Sequence, residues 1–126
     1  MSNLVNDIGV SKQDNLIVDS NIPIQLKGVT LVANQGELKR GSVIGIITAS
    51  GLGKLTTKTS SDGSQTAKYI LADDTTIGDE DVVVQCYESG KFNRFALTLG
   101  GSDEVSEHED DLRKYGIFLA DAINYL

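Results

Sequence analysis

The residue types that could do chemistry fall into a few short stretches of this 126-residue chain. Gly51-Leu52-Gly53-Lys54 carries the glycines and lysine of a phosphate-cradling loop. That loop needs a Gly five residues before its second Gly and a Ser or Thr after the Lys. Thr48 and Leu55 stand there instead, so the stretch reads as a hairpin turn. A dinucleotide fingerprint fails too, because Leu55-Thr56 replaces the helix-opening stretch and its third Gly. The acidic stretch from Ala72 to Asp81 invites a calcium reading. With Asp73 as position one, Gly78 falls correctly at position six, but Ile77 and Val84 occupy positions five and twelve, where oxygen ligands are required. A helix-loop-helix calcium site is excluded, and a solvated loop is the preferred reading over an irregular weak site. His108 is the one histidine and stands among Glu107, Glu109, Asp110 and Asp111. A catalytic His must face a nucleophile and an oriented acid from elsewhere in the fold. Its neighbours here are merely adjacent in sequence, and it is expected on the surface of a helix start. Cys86 alternates in phase with Val82 and Val84, which predicts a buried, small apolar role. One Cys allows neither an internal disulfide nor a multi-Cys zinc site. The expectation is no catalytic residue, no metal and no cofactor.

The elements that would carry these residues are mostly strands. Eleven of the thirteen glycines lie between Gly28 and Gly101, punctuating short runs rich in β-branched residues. Strands are expected at Val29–Ala33, Ser42–Thr48, Lys54–Thr59, Ala67–Leu71 and Val82–Tyr87. Ser42–Thr48 is apolar on both faces, as in a strand buried on both sides. Asp62-Gly63-Ser64 has turn chemistry. Glu88-Ser89-Gly90-Lys91 reads as a hairpin loop joining Val82–Tyr87 to a strand from Phe92 to Leu99, on which Phe95, Leu97 and Leu99 share a face. Beyond Ser106 the apolar residues Leu112, Tyr115, Leu119, Ala122, Ile123 and Leu126 step by three and four. That predicts an amphipathic helix over about 106–124, opened by a Ser106–Glu109 capping box.

Composition bounds the function. The chain has 11 basic and 18 acidic residues, a net charge of −7. Residues 101–126 hold two of the basic and seven of the acidic groups. Duplex nucleic-acid binding needs a basic surface that displaces counterions, so it is disfavoured. No apolar run approaches the ~18 residues of a transmembrane helix, and Met1-Ser2-Asn3-Leu4 lacks the basic start of a signal peptide. No Trp and seven other aromatics make a poor sugar- or base-stacking platform.

Residues 1–28 differ from the rest. Met1 to Asn15 mixes polar residues with isolated Leu4, Val5, Ile8 and Val10, without a sustained period. Leu16-Ile17-Val18 is a short apolar patch. Ile22, Ile24 and Leu26 alternate with Pro23, Gln25 and Lys27 as a strand would. Pro23 cannot donate to a ladder, so this strand should lie at an edge or pair on one side only. The reading is a polar N-terminal arm, 1–28, ahead of a body, 29–126.

From Val29 to the C-terminus the chain resembles the lambda-like phage head decoration proteins. Val32-Ala33-Asn34-Gln35-Gly36-Glu37-Leu38-Lys39-Arg40-Gly41-Ser42-Val43-Ile44-Gly45 is similar to that family's opening strand, turn, Arg-Gly and following strand. Asp62-Gly63-Ser64-Gln65-Thr66-Ala67 resembles its central loop, and Ile70-Leu71-Ala72-Asp73-Asp74 the strand end after it. Ser89-Gly90-Lys91-Phe92-Asn93 is similar to its late hairpin, and Leu112-Arg113-Lys114-Tyr115-Gly116-Ile117 to its closing helix. Lys68-Tyr69 departs from the family, whose members often have a Gly-containing step there.

The resemblance implies a mainly β (α+β) chain: a small sandwich- or barrel-like body of the β-tulip type, one C-terminal helix and an extended N-terminal arm. It implies no enzymatic activity. It implies a homotrimer on the outer capsid surface of the virion, added in the host cytoplasm, whose arms pair with strands of the major capsid protein. Leu4, Val5, Ile8, Val10, Leu16, Ile17 and Val18 are then the expected capsid-binding residues of the arm. Neither nucleic acid nor membrane is an expected partner. Twenty extended residues reach at most about 70 Å, enough to pass from one subunit to the next. A tail or tube component is the second reading, and a small β-barrel carrier domain with a modified Lys54 the third.

Overall fold

The computed structural model describes residues 16–19 and 23–120. The chain order is β1 (Ile17–Asp19), β2 (Gln25–Leu31), β3 (Gly36–Leu38), β4 (Val43–Ile46), β5 (Gly53–Leu55), β6 (Ala67–Leu71), β7 (Thr75–Ile77), β8 (Val82–Asn93), α1 (Glu109–Lys114) and β9 (Ile117–Ala120). Short 3-10 turns at Arg94–Ala96 and Val105–Glu107 join β8 to α1. Strands β2, β5, β4, β6 and β8 form a ring, because β8 pairs with both β2 and β6. All these pairings are antiparallel except β2 with β5, which is parallel and meets at Leu31 and Gly53 alone.

The two-residue period of the strands divides the ring wall into two faces. Val29, Leu31, Ile44, Tyr69, Leu71 and Cys86 point inward and pack together with Leu38 and Ile77. Val43, Ile70 and Tyr87 point outward into a second cluster with Leu16, Phe92, Leu112 and Ile117, and Ala67 joins them through the register shift between Ile44 and Gly45 that breaks the alternation in β6. Residues 103–120 therefore form a cover over one side of the ring. Tyr87 and Phe92 stack at 5.2 Å between ring centroids within it.

The expected helix over 106–124 is corrected to six residues, Glu109–Lys114. Gly116 ends it, with φ +91°, the left-handed conformation that glycine adopts at no steric cost. Ile117–Ala120 then runs parallel to β8, Gly90 opposite Ile117 and Asn93 opposite Ala120. A short apolar run fits a helix face or a strand equally by spacing, and the ladder with β8 decided between them. Such a short helix is marginal alone, so its stability comes from burying Leu112, worth roughly 1.5–3 kcal/mol. The capping box also moves: the Glu107 carboxylate accepts the Glu104 N–H at 2.7 Å, two residues ahead of the Ser106 expected to cap.

The expected hairpin at Glu88–Lys91 does not form. Val82–Asn93 is one strand of 12 residues. Its first part pairs with β2 and β6, and its last part with β1 and β9, so both halves find partners without reversing. Gly90, at φ +143°, sits where one set of partners gives way to the other. Arg94–Ala96 then turns, which exposes Phe95 while Leu97 and Leu99 pack against the outer cluster. The shared face expected for these three is therefore broken at Phe95.

Candidate functional site

Each stretch singled out for chemistry is used inside the fold. Gly51 turns the β4–β5 hairpin, donating its N–H to the Ile47 carbonyl at 2.8 Å. Lys54, on β5, lies 3.3 Å from Asp62 Oδ2. Asp62 Oδ1 accepts from both the N–H (3.0 Å) and the hydroxyl (2.6 Å) of Ser64. These two bonds, helped by Lys54, lower the Asp62 carboxyl to about 2. The loop lies so close to β4 that a Cβ on Gly45 would stand 2.2 Å from the Ser64 carbonyl oxygen. Glycine is required there by approach distance.

The acidic stretch at 72–81 is a tie between loops. Asp74 Oδ1 accepts the Arg40 N–H at 2.7 Å, and Asp81 Oδ1 accepts the Ala33 N–H at 2.9 Å. Between them β7 pairs antiparallel with β3. No group of three or more metal-ligating side chains occurs among the described residues. The Arg40 guanidinium donates to the Ala72 carbonyl (2.8 Å) and the Tyr87 hydroxyl (2.7 Å), pinning the Arg-Gly turn to the wall. Cys86 is fully buried, and burial pushes its thiol up to about 12, far from reactivity at neutral pH.

His108 corrects the sequence expectation, being only 3% exposed. Its Nε2 lies 2.7 Å from Asp103 Oδ2. The same carboxylate oxygen accepts the Lys58 N–H at 2.6 Å. The His108 hydrogen bond, opposed by burial and aided by Lys58, holds Asp103 below the usual carboxylate range. Lys58 Nζ adds a 2.6 Å ion pair to Glu107, and that carboxyl is lowered too, first by the Glu104 N–H and then by Lys58. No hydroxyl or thiol among the described residues bonds the ring. The cluster fastens the cover to the Lys58 loop. The i to i+5 spacing of Asp103 and His108 gave no local sign of this, because the contact depends on the intervening 3-10 turn.

The expected arm residues divide. Leu4, Val5, Ile8 and Val10 lie outside the described residues. Leu16 is 1% exposed inside the outer cluster, and its carbonyl accepts the Asn93 N–H at 2.8 Å. Ile17 pairs opposite Phe92 and packs against the same cluster, and Val18 is half-buried. These three residues root the N-terminal segment on the body. Strand β2 follows and crosses position 28 without a break, so residues 25–28 already belong to the wall.

Five large apolar side chains are exposed among the described residues. Ile24, Leu26 and Val83 are exposed on the outer wall at β2 and β8, with Val83 toward the far end of β2, opposite Thr30. Phe95 and Tyr115 are exposed near the cover. Sequence reasoning missed Val83. Its signal was the alternation that turns Val82 and Val84 inward and therefore Val83 out.

No helix among the described residues is long and apolar enough to cross a membrane. A search of curated proteins finds no match. The family model for the bacteriophage lambda head decoration protein D matches residues 7–117, which reaches into the N-terminal segment.

Proposed function

This chain belongs to the bacteriophage lambda head decoration protein D family, and from that membership we propose that it clamps the outer capsid surface as a homotrimer. It is a structural protein of the phage head. Its N-terminal segment cross-links neighbouring major capsid protein subunits, with Leu4, Val5, Ile8 and Val10 on the shell and Leu16, Ile17 and Val18 as the root. The role is non-catalytic, involves neither nucleic acid nor membrane, and begins when the protein joins finished shells in the host cytoplasm. The observation that carries this reading is the family match from residue 7, combined with a body in which Asp62 and His108 are bonded within its own loops.

The physics is that of strand addition. The fifteen residues before Leu16 span at most about 50 Å when extended. Pairing them with an open sheet edge satisfies backbone donors and acceptors largely independently of sequence, while spaced apolar side chains supply selectivity. Ordering each segment costs roughly 2–5 kcal/mol of gross interaction. In a trimer the second and third segments bind at high effective concentration, so modest contacts hold firmly. Linked subunits resist outward pressure from packaged DNA, and the −7 charge suits an exterior position.

The test is deletion of residues 1–15 and addition of the truncated protein to expanded, undecorated heads. The expected result is a folded trimer that no longer binds. Full binding by the truncated chain would defeat the proposal.

A further inference from the structure

We propose that the join between β2 and β5 is the opening joint of the ring, and that the side-chain amide of Gln35 is its latch. The joint belongs to the body and works without a capsid.

Every other join in the wall is longer or better covered. β2 and β8 face each other from Gln25 to Leu31. Ile44–Ile46 of β4 lie opposite Gly53–Leu55 of β5, and β4 meets β6 from Val43 to Gly45. β6 and β8 meet only at Ile70 and Leu71, but Ile70 and Tyr87 lie in the outer cluster beneath the cover. Arg40 adds a clamp there, donating to both the Ala72 carbonyl and the Tyr87 hydroxyl. β2 and β5 pair at Leu31 and Gly53 alone, and no residue of either strand belongs to the outer cluster. Their join ends instead at an open cleft of about 470 Å³, bordered by Val32, Gln35, Leu38, Lys54, Leu55 and Thr57. Atoms beside a cleft lack packing partners on that side.

A regular parallel ladder would continue past Leu31 and Gly53 with the Leu55 N–H bonded to the Val32 carbonyl. The main chain turns away before that bond can form. The Ala33 N–H goes to Asp81 Oδ1 at 2.9 Å and the Asn34 N–H to the Gly78 carbonyl at 2.6 Å, with Asn34 at a left-handed φ of +70°. The Gln35 side chain then comes back into the gap. Its Oε1 accepts the Leu55 N–H at 3.0 Å, and its Nε2 donates to the carbonyls of Val32 (3.0 Å) and Gly53 (3.1 Å). One amide offers two donors and an acceptor, and here all are used. Beyond the single backbone pair, the strands are held by this amide and by the Val32 N–H bond to the Gly53 carbonyl at 2.9 Å. Local opening follows the least supported contacts. Release of Gln35 lets the β4–β5 hairpin swing from β2 while β4 stays paired with β6. That movement bares the inner residues Val29, Leu31 and Cys86.

The experiment is hydrogen exchange of the full-length protein, read amide by amide by NMR, for wild type and Gln35→Met. In wild type the Val32 and Leu55 amides should be at least tenfold less protected than those of Thr56 and Leu71, which bond the Val43 and Ser42 carbonyls of the β4 region. Low urea should leave the first two unchanged and speed the second two. Equal protection of all four overturns the joint. The variant leaves the Val32 bond to Gly53 in place, yet should lower Val32 protection at least tenfold. Unchanged protection of Val32 overturns the latch. Should the Met variant fail to fold, Gln35→Glu replaces it with the same two outcomes, since it keeps the acceptor toward Leu55 and loses the donors toward Val32 and Gly53. Cys86, the one thiol of the chain, gives a second reading in wild type. An aromatic disulfide reagent should label it with the same insensitivity to low urea as Val32 exchange. Labelling that follows Leu71 exchange would close the joint as a route into the ring and overturn the inference.

Discussion

One ring wall meets two different fates. On the side of β4 and β6, the outward residues Val43 and Ile70 are buried beneath α1, β9 and Leu16. On the side of β2, the outward residues Ile24 and Leu26, joined by Val83, meet solvent. Both sides follow the same alternation, and both are apolar. The difference lies in what the chain brings over them. Residues 103–120 return to cover one side, fastened by the pair of His108 and Asp103. Nothing among the described residues returns to the other. The covered side supplies stability, and the open side stays exposed among the described residues.

The comparison breaks most sharply under Phe92→Ala. Phe92 is fully buried between β1, β9 and the wall, and removing its ring should cost about 3–5 kcal/mol, read from urea unfolding. A loss below 1 kcal/mol would mean the cover is not an essential part of the core. Gly116→Ala tests the turn that lets residues 117–120 leave the helix and join β8. The space is free, with Ser89 Cβ at 3.7 Å, but φ is +91°, so thermal unfolding should report a loss of about 1–2 kcal/mol from strain alone.

Acid should loosen the covered side next. Asp103 and Glu107 are both held below their usual carboxylate range in the fold. A carboxylate with a lowered folded-state pKa adds stability above its unfolded value, and that contribution disappears as pH falls through the folded value. The melting temperature should therefore fall between about pH 5 and pH 3, and less steeply in Asp103→Asn. Equal slopes would remove the His108–Asp103 pair from the fastening. The smallest effect belongs to the open side. Leu26→Ser should change stability by less than ~0.5 kcal/mol, since no described residue covers Leu26. A larger loss in the free protein would show that something in the same molecule already packs there.

Local signals in the sequence were enough for part of this arrangement. Strand β6 matches its expected residues, Ser42–Thr48 contains β4, and the Gly51 turn and Asp62–Ser64 loop form where their residue types demand. The strand after Pro23 is not confined to one partner: it pairs with β8 along its length and with β5 at Leu31. The cover was not legible. Whether Ile117–Ala120 is helix or strand depends on an edge of β8 that lies far away in sequence. The same holds for Glu88–Lys91, whose turn-like residues stay extended because partners wait on both sides. His108 reads as a surface residue among four acids until Lys58 and Asp103 are brought to it. Of the expected contact residues, the apolar patch Leu16–Val18 was visible as a patch. Its burial against Phe92 follows from the antiparallel pairing of β1 with β8.

The most direct measurement is imaging of expanded, undecorated phage heads after addition of the full-length protein. The account predicts trimers on the outer surface, with the chain ahead of Leu16 leaving its own body to pair with a neighbouring shell subunit. Bound particles in which those residues lie against their own subunit, touching no other chain, would contradict it.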